Sequence, residues 1–210
     1  MTARDEILQD VRAALGHGSD QPAAPPAARI QIPEVAREAR IESFFRAVSG
    51  LAGKTYLAGS FASVRETVAA LVDGRPAVAS NAPLLRECGI TDLPTVETGF
   101  TDREALRQAC ASAAVGITSA EFALADTGTL VMLSSPEEAR MISLLPPVHI
   151  AVVPRVRILT GLDELLSMAP QPGLSTSSMV LITGPSRTAD IEQILVRGVH
   201  GPGEVHVLVI

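Results

Sequence analysis

A chain of 210 residues with 47% hydrophobic content is long and apolar enough for one generous, well-buried domain. Its net charge of -6 opposes non-specific nucleic-acid binding, which draws on basic surface to displace counterions from phosphates. No apolar run reaches the roughly 18 residues of a membrane helix, and two cysteines, Cys88 and Cys110, cannot supply the four thiolates of an ordinary iron–sulfur cluster or a recognisable structural zinc site.

The acidic start, Met1 to Glu6, leads into no signal-type apolar core, so a cytoplasmic protein is expected. Residues 2–15 form an amphipathic helix in which Thr2 and Asp5 make a capping box and Ile7, Val11 and Leu15 share a face. That face requires burial by a partner, a sister subunit or the chain's own domain. The next stretch is rich in Gly, Pro and Ala, a composition that resists helix and strand alike, and the expected organisation is a helix at 1–15, a flexible linker at 16–33 and a domain at 34–210.

Within the domain the spacing predicts a helix at 34–50, a strand at 54–59, a helix at 64–73 and a strand at 76–80. Helix starts are expected where the capping-box pattern recurs: Ser63 with Glu66, Thr101 with Glu104, Thr118 with Glu121, Ser135 with Glu138, and Thr160 with Asp163. Pro136 suits a first helical position. Between these, the runs at 130–133, 150–153, 179–182 and 205–210 are continuous and rich in β-branched residues, as strands buried on both faces should be. The expected fold is three-layer α/β/α, a mainly parallel sheet covered by helices on both sides, and ligands of such sheets bind at the edge where strands hand over to helices.

Three groups of residues could carry chemistry at that edge. In Thr118–Gly128, two carboxylates, Glu121 and Asp126, flank an expected short helix, with Thr127 and Gly128 placed to hold substrate oxygens. Glu121 serves equally well as a mere cap and Gly128 as a helix stop. In Gly184-Pro185-Ser186-Arg187, ahead of a helix expected near Thr188, Ser186, Arg187 and free N–H groups suit a phosphate or carboxylate. The third group comprises Arg140, loop-borne His200 and His149, with His206 read as structural. No histidine pair shows metal-ligand spacing, so no metal is expected. Sixteen of the seventeen basic residues are Arg, which fits either anion recognition or a codon preference. Gly53-Lys54-Thr55 fails as a phosphate-binding loop, because the first glycine is missing and the segment precedes a strand instead of following one.

The ordered motifs at 116–130 (Gly-Ile-Thr-Ser-Ala-Glu-Phe-Ala-Leu-Ala-Asp-Thr-Gly-Thr-Leu), 143–153, 184–192 and 198–202 resemble the lactate-utilisation (LUD) domain family over residues 34–210. The resemblance implies a fold akin to ribose-5-phosphate isomerase, glucosamine-6-phosphate deaminase and coenzyme A transferases (the NagB/RpiA/CoA transferase-like group). It also implies a non-redox role in oxidising L-lactate to pyruvate beside partner proteins that carry the iron–sulfur clusters, with no cofactor in this chain. It assigns no catalytic residue. A small carboxylate or phosphate, or a partner surface, is therefore the expected occupant of the edge built from 118–128, 184–188 and 198–202. The competing expectation is a free-standing isomerase or transferase acting on a sugar phosphate or acyl-coenzyme A, with Glu121 or Asp126 as base or nucleophile and Arg187 as clamp.

Overall fold

The computed structural model describes residues 2–14, 34–168, 176–189 and 195–210. Helix α1 (Ala3–Ala14) belongs to a unit separate from the domain at Ile32–Ile210. Its cap is the anticipated one, with Thr2 N donating to the Asp5 carboxylate and Asp5 N to the Thr2 hydroxyl. The expected linker at 16–33 lies outside the described residues.

The domain opens with α2 (Arg37–Gly50), β1 (Lys54–Leu57), α3 (Phe61–Val72), β2 (Ala77–Ala79), α4 (Pro83–Glu87), β3 (Val96–Glu97) and α5 (Arg103–Ser112). Its middle is β4 (Val115–Ser119), β5 (Phe122–Leu124), β6 (Thr129–Leu133), α6 (Arg140–Leu144) and β7 (Val148–Val153). A 3-10 turn at Arg155–Arg157 leads to β8 (Ile158–Leu159), α7 (Leu162–Met168), β9 (Met179–Ile182), β10 (Arg187–Ala189), β11 (Leu195–Arg197) and β12 (Glu204–Val209).

Six strands form a wholly parallel sheet in the order β1-β12-β7-β4-β2-β3. Its central strands, Val-His-Ile-Ala-Val-Val and Glu-Val-His-Val-Leu-Val, are buried on both faces, which is why they read as continuous apolar runs. Val148, Ile150 and Val152 point to one face and pack on α3 and α4, where Val64, Val68 and Val72 recur at helical spacing. Ala151, Val153, Val205 and Val207 point to the other face and pack on Phe44 and Val48 of α2 and on a second sheet. This makes the expected three-layer α/β arrangement.

The second sheet, β8-β5-β6-β9, was not expected from the sequence and changes two local readings. Residues 118–126 contain no helix: Phe122, Ala123 and Leu124 form β5, which lies between antiparallel β6 and parallel β8 with all three residues buried. A two-turn surface helix would expose one side of that run. Arg187–Ala189 likewise pairs antiparallel with Leu195–Arg197 as a ribbon, where a helix near Thr188 had been expected. The apolar run 179–182 becomes an edge strand, paired among the described residues with β6 alone, and is half-buried for that reason.

Several caps shift as well. Ser60, not Ser63, caps α3, with Ser63 as its reciprocal partner, and Asp102, one residue past Thr101, caps α5. The carboxylate that reaches back to Thr160 N is that of Glu164, at 2.7 Å, instead of Asp163. Ser135 accepts from the amides of Glu137 and Glu138, yet the helix begins only at Arg140.

Gly116 shows how closely α6 lies on the sheet. A Cβ there would stand 1.9 Å from the Ile142 carbonyl oxygen and 3.0 Å from the Pro146 ring. Gly116→Ala must push backbone away from backbone, and the expected loss is roughly 1–3 kcal/mol or more, read as a fall in urea midpoint. An unchanged midpoint would mean that α6 is not held against β4.

Candidate functional site at the carboxyl edge

Parallel strands all end on one side, so the residues after β2, β3, β4 and β7 form one rim. After β2 come Ser80 and Asn81. The Asn81 side chain fastens this end to the segment after β3, with its Oδ1 accepting from Gly99 N (2.8 Å) and from Thr98 Oγ1 (3.1 Å). Arg86, on α4, donates to the Asn81 carbonyl and so keeps its cation at this rim. After β4 comes Glu121, paired at 3.1 Å with Arg157 from the turn after β7, and Arg157 also sits over the Phe122 ring. Both partners are nearly half-exposed, so the pair sets position more than it adds stability.

A strap at 134–139 crosses this rim and turns Glu138 inward. Glu138 is only 9% exposed. Its Oε2 accepts from Ser80 Oγ (2.8 Å) and from Ser119 N (3.1 Å), which ties the strap to the ends of β2 and β4. Its Oε1 has no hydrogen-bond partner among the described residues. Burial pushes this carboxyl up from 4.5 to about 7, against the two hydrogen bonds that favour its ionised form. Glu138 lines a cavity of about 570 Å³ together with Arg86, Ser119, Glu121, Ser135 and Arg157. The arrangement places two guanidinium groups, several hydroxyls and one carboxyl poised near neutrality around a single space. That is equipment for binding an anion and for moving a proton.

Of the residues singled out in the sequence, Glu121 alone lines this cavity. Arg140, exposed at the start of α6, lines a neighbouring cleft of about 770 Å³ beside Phe100, Asp102 and Met141. Thr118 is fully buried inside the sheet, hydrogen-bonded at 2.8 Å to His149 Nε2. Burial, with His206 adding to it, pushes His149 down to about 4 and leaves its ring neutral. His206, buried and stacked on Tyr56, bonds the Tyr56 hydroxyl at 3.1 Å. Asp126 is held beside Gly161, and its amide donates to Thr160 O.

The remaining candidates collect at the opposite, amino edge. Gly128, at positive φ, lies against Ala47 and Val48 at the end of α2, and the Thr127 hydroxyl begins a chain through Thr129 to Thr183. Gly184 packs on Leu51, and Arg187 donates to the Leu51 carbonyl, just ahead of β1. Ser186 N donates to Pro202 O at 2.8 Å, which brings in the loop carrying exposed His200 just ahead of β12. The expected edge thus divides between two ends of the sheet.

Sequence reading passed over Glu138, Ser80, Asn81, Arg86 and Arg157. Glu138 had been assigned as the capping partner of Ser135, a role that left no reason to look inward. The usable signal is position: Ser80 ends, and Asn81 directly follows, the strand expected at 76–80 in a parallel sheet, where such sheets bind ligands. Among the described residues there is no group of three or more His, Cys, Asp or Glu arranged to hold a metal ion, and no helix is long and apolar enough to cross a membrane.

Comparison with known proteins shows the family and the fold. The LUD domain matches residues 31–210. Lactate utilization protein C of Bacillus subtilis is 35% identical over 69% of this chain and 65% of its own length. The protein of that name from Anoxybacillus flavithermus is 30% identical over 74% of each chain. The chain spans between 45% and 65% of the length of the first three curated relatives it matches. A crystal structure of a DUF162 family protein from Deinococcus radiodurans superposes with a TM-score of 0.62, covering 84% of this chain and 99% of that one at 16% identity, which shows a shared fold.

The raised Glu138 carboxyl has a measurable consequence for stability. The folded state holds a proton that the unfolded chain releases near 4.5, so stability falls as pH rises from about 4.5 to about 7 and is level above that. The loss is roughly 3 kcal/mol. Glu138→Gln cannot ionise, and its stability relative to the native chain is expected to be more favourable at pH 8 than at pH 5 by about that amount in urea titrations. An equal difference at both pH values would show that Glu138 does not titrate abnormally.

Proposed function

The chain belongs to the LUD-domain family, and from that premise we propose that it serves L-lactate utilisation as a component without a redox centre, binding a small carboxylate in the carboxyl-edge cavity. The observation that carries this reading is that Arg86, Arg157, buried Glu138 and the rim hydroxyls line one space. Guanidinium forks match carboxylates, and a neutral carboxyl beside the space does not repel them. The names of the relatives bring lactate to the reading. Electron transfer is assigned to iron–sulfur partner proteins, with no cofactor in this chain. Its two cysteines are buried in separate cores, where burial pushes both thiols to about 11 and keeps them protonated.

A second reading, a free-standing isomerase or transferase acting on a sugar phosphate or acyl-coenzyme A, draws support from two carboxyl groups, Glu138 and Glu121, lining the same cavity. It requires turnover by the isolated protein with no partner present.

Thermal unfolding against L-lactate, pyruvate, ribose 5-phosphate and coenzyme A separates the two. A ligand present at a hundredfold excess over its Kd stabilises by about 2.7 kcal/mol, a shift of several degrees. The expected result is a shift with L-lactate or pyruvate that Arg157→Ala removes and Arg187→Ala keeps, because Arg187 belongs to the opposite edge. Loss of the shift in Arg187→Ala alone would move the site to the amino edge. A shift with only ribose 5-phosphate or coenzyme A would favour the second reading.

A further inference from the structure

Within the carboxyl-edge cavity, Glu138 is placed unlike a simple structural acid. Two donors converge on its Oε2, the Ser80 hydroxyl and the Ser119 amide. A proton on this carboxyl therefore resides on Oε1, the atom with no partner among the described residues. Oε1 is sealed from solvent, so an ionised Glu138 acts on an anion in the cavity it lines through space and not by direct contact.

We infer that this cavity is a proton-coupled site, in which a small 2-hydroxy or 2-oxo monocarboxylate enters together with one proton taken up by the Glu138 carboxyl, whose negative charge would otherwise stand unpartnered beside it. The inference rests on the carboxylate-binding reading above and adds to it. No bond to carbon forms or breaks. One solvent proton and one anion enter together, and the net charge of the site is unchanged on filling.

The charged groups facing Glu138 from its surroundings are few. Arg86 comes from α4, Glu121 from the turn after β4, Arg157 from the turn after β7, Glu137 from the strap itself and Arg140 from α6. Strands β2, β4, β6 and β9, which pack around it, contribute no ionisable side chain. Arg86, Glu121, Glu137, Arg140 and Arg157 are all exposed, whereas Glu138 is buried and titrates at about 7. Above that pH the site contains a buried negative charge and repels the ligand. Below it the proton is already in place.

Isothermal titration of the full chain with L-lactate and with pyruvate, in buffers of different ionisation heat at pH 6, 7 and 8, reads the linkage directly. The expected uptake rises from near zero protons at pH 6 to near one at pH 8, and affinity falls by about tenfold per pH unit above the titration of Glu138, because only the protonated fraction binds. Glu138→Gln should bind with no proton uptake and no pH dependence over this range, while Glu66→Gln, at an exposed acid of α3 outside the cavity, should keep both. Binding by the native chain without proton uptake at pH 8 overturns the inference and leaves the carboxylate-binding reading standing. Uptake that persists in Glu138→Gln also overturns it. Binding of neither probe at any pH overturns both. The profile of the native chain decides the matter even if the variant fails to fold.

Discussion

Parallel pairing across the six-stranded sheet is the constraint from which the rest of the structure follows. It sends every crossover over one face or the other, so both faces must be covered, here by α3 and α4 on one side and by α2, α5, α6 and a second sheet on the other. It also gathers the ends of β2, β3, β4 and β7 on one rim, which brings Ser80 within hydrogen-bonding distance of a carboxylate 58 residues further along the chain. A mixed main sheet would have scattered those ends between two rims.

Covering the sheet so thoroughly leaves little room for ionisable groups, and those buried are treated differently. His149 is kept neutral between Thr118 and the surrounding apolar layer, an arrangement that contributes packing and a single hydrogen bond. Glu138 is also buried, but at the rim, with one oxygen anchored by two donors and the other unpartnered. Neither group has an ion-pair partner among the described residues, so desolvation dominates each, pushing the base down and the acid up. For the acid, the result falls in the range where a proton can be exchanged at physiological pH. Position on the rim, together with that range, sets Glu138 apart from His149, which lies inside the sheet.

The strap at 134–139 is the hinge between fold and site. Ser135 accepts two amides and fixes its entry, Asn81 N donates to the Glu137 carbonyl at 2.8 Å, and Glu138 closes the connection to β2 and β4. The strap also separates two clefts, one lined by Arg86 and Arg157 and the other by Arg103 and Arg140. An arginine-rich set of basic residues thus contributes cations to the open sides of the rim, while the charge at its centre is acidic and titratable.

The sequence by itself determined the layered α/β architecture, because strands such as Val148–Val153 and Glu204–Val209, buried on both faces, must be apolar throughout, and α3 must carry its valines at helical spacing. It determined the domain and its family resemblance, because ordered motifs survive in linear form. Tertiary structure alone decided that Phe122–Leu124 is a strand, since a capping-box pattern is satisfied locally while burial between β6 and β8 is imposed from 129–131 and 158–159. It decided too that Glu138 faces inward and that Gly128, Gly184 and Arg187 lie at the opposite edge from Glu121. Which way a polar side chain points depends on donors that the chain supplies from far away, and a one-dimensional pattern carries no record of them.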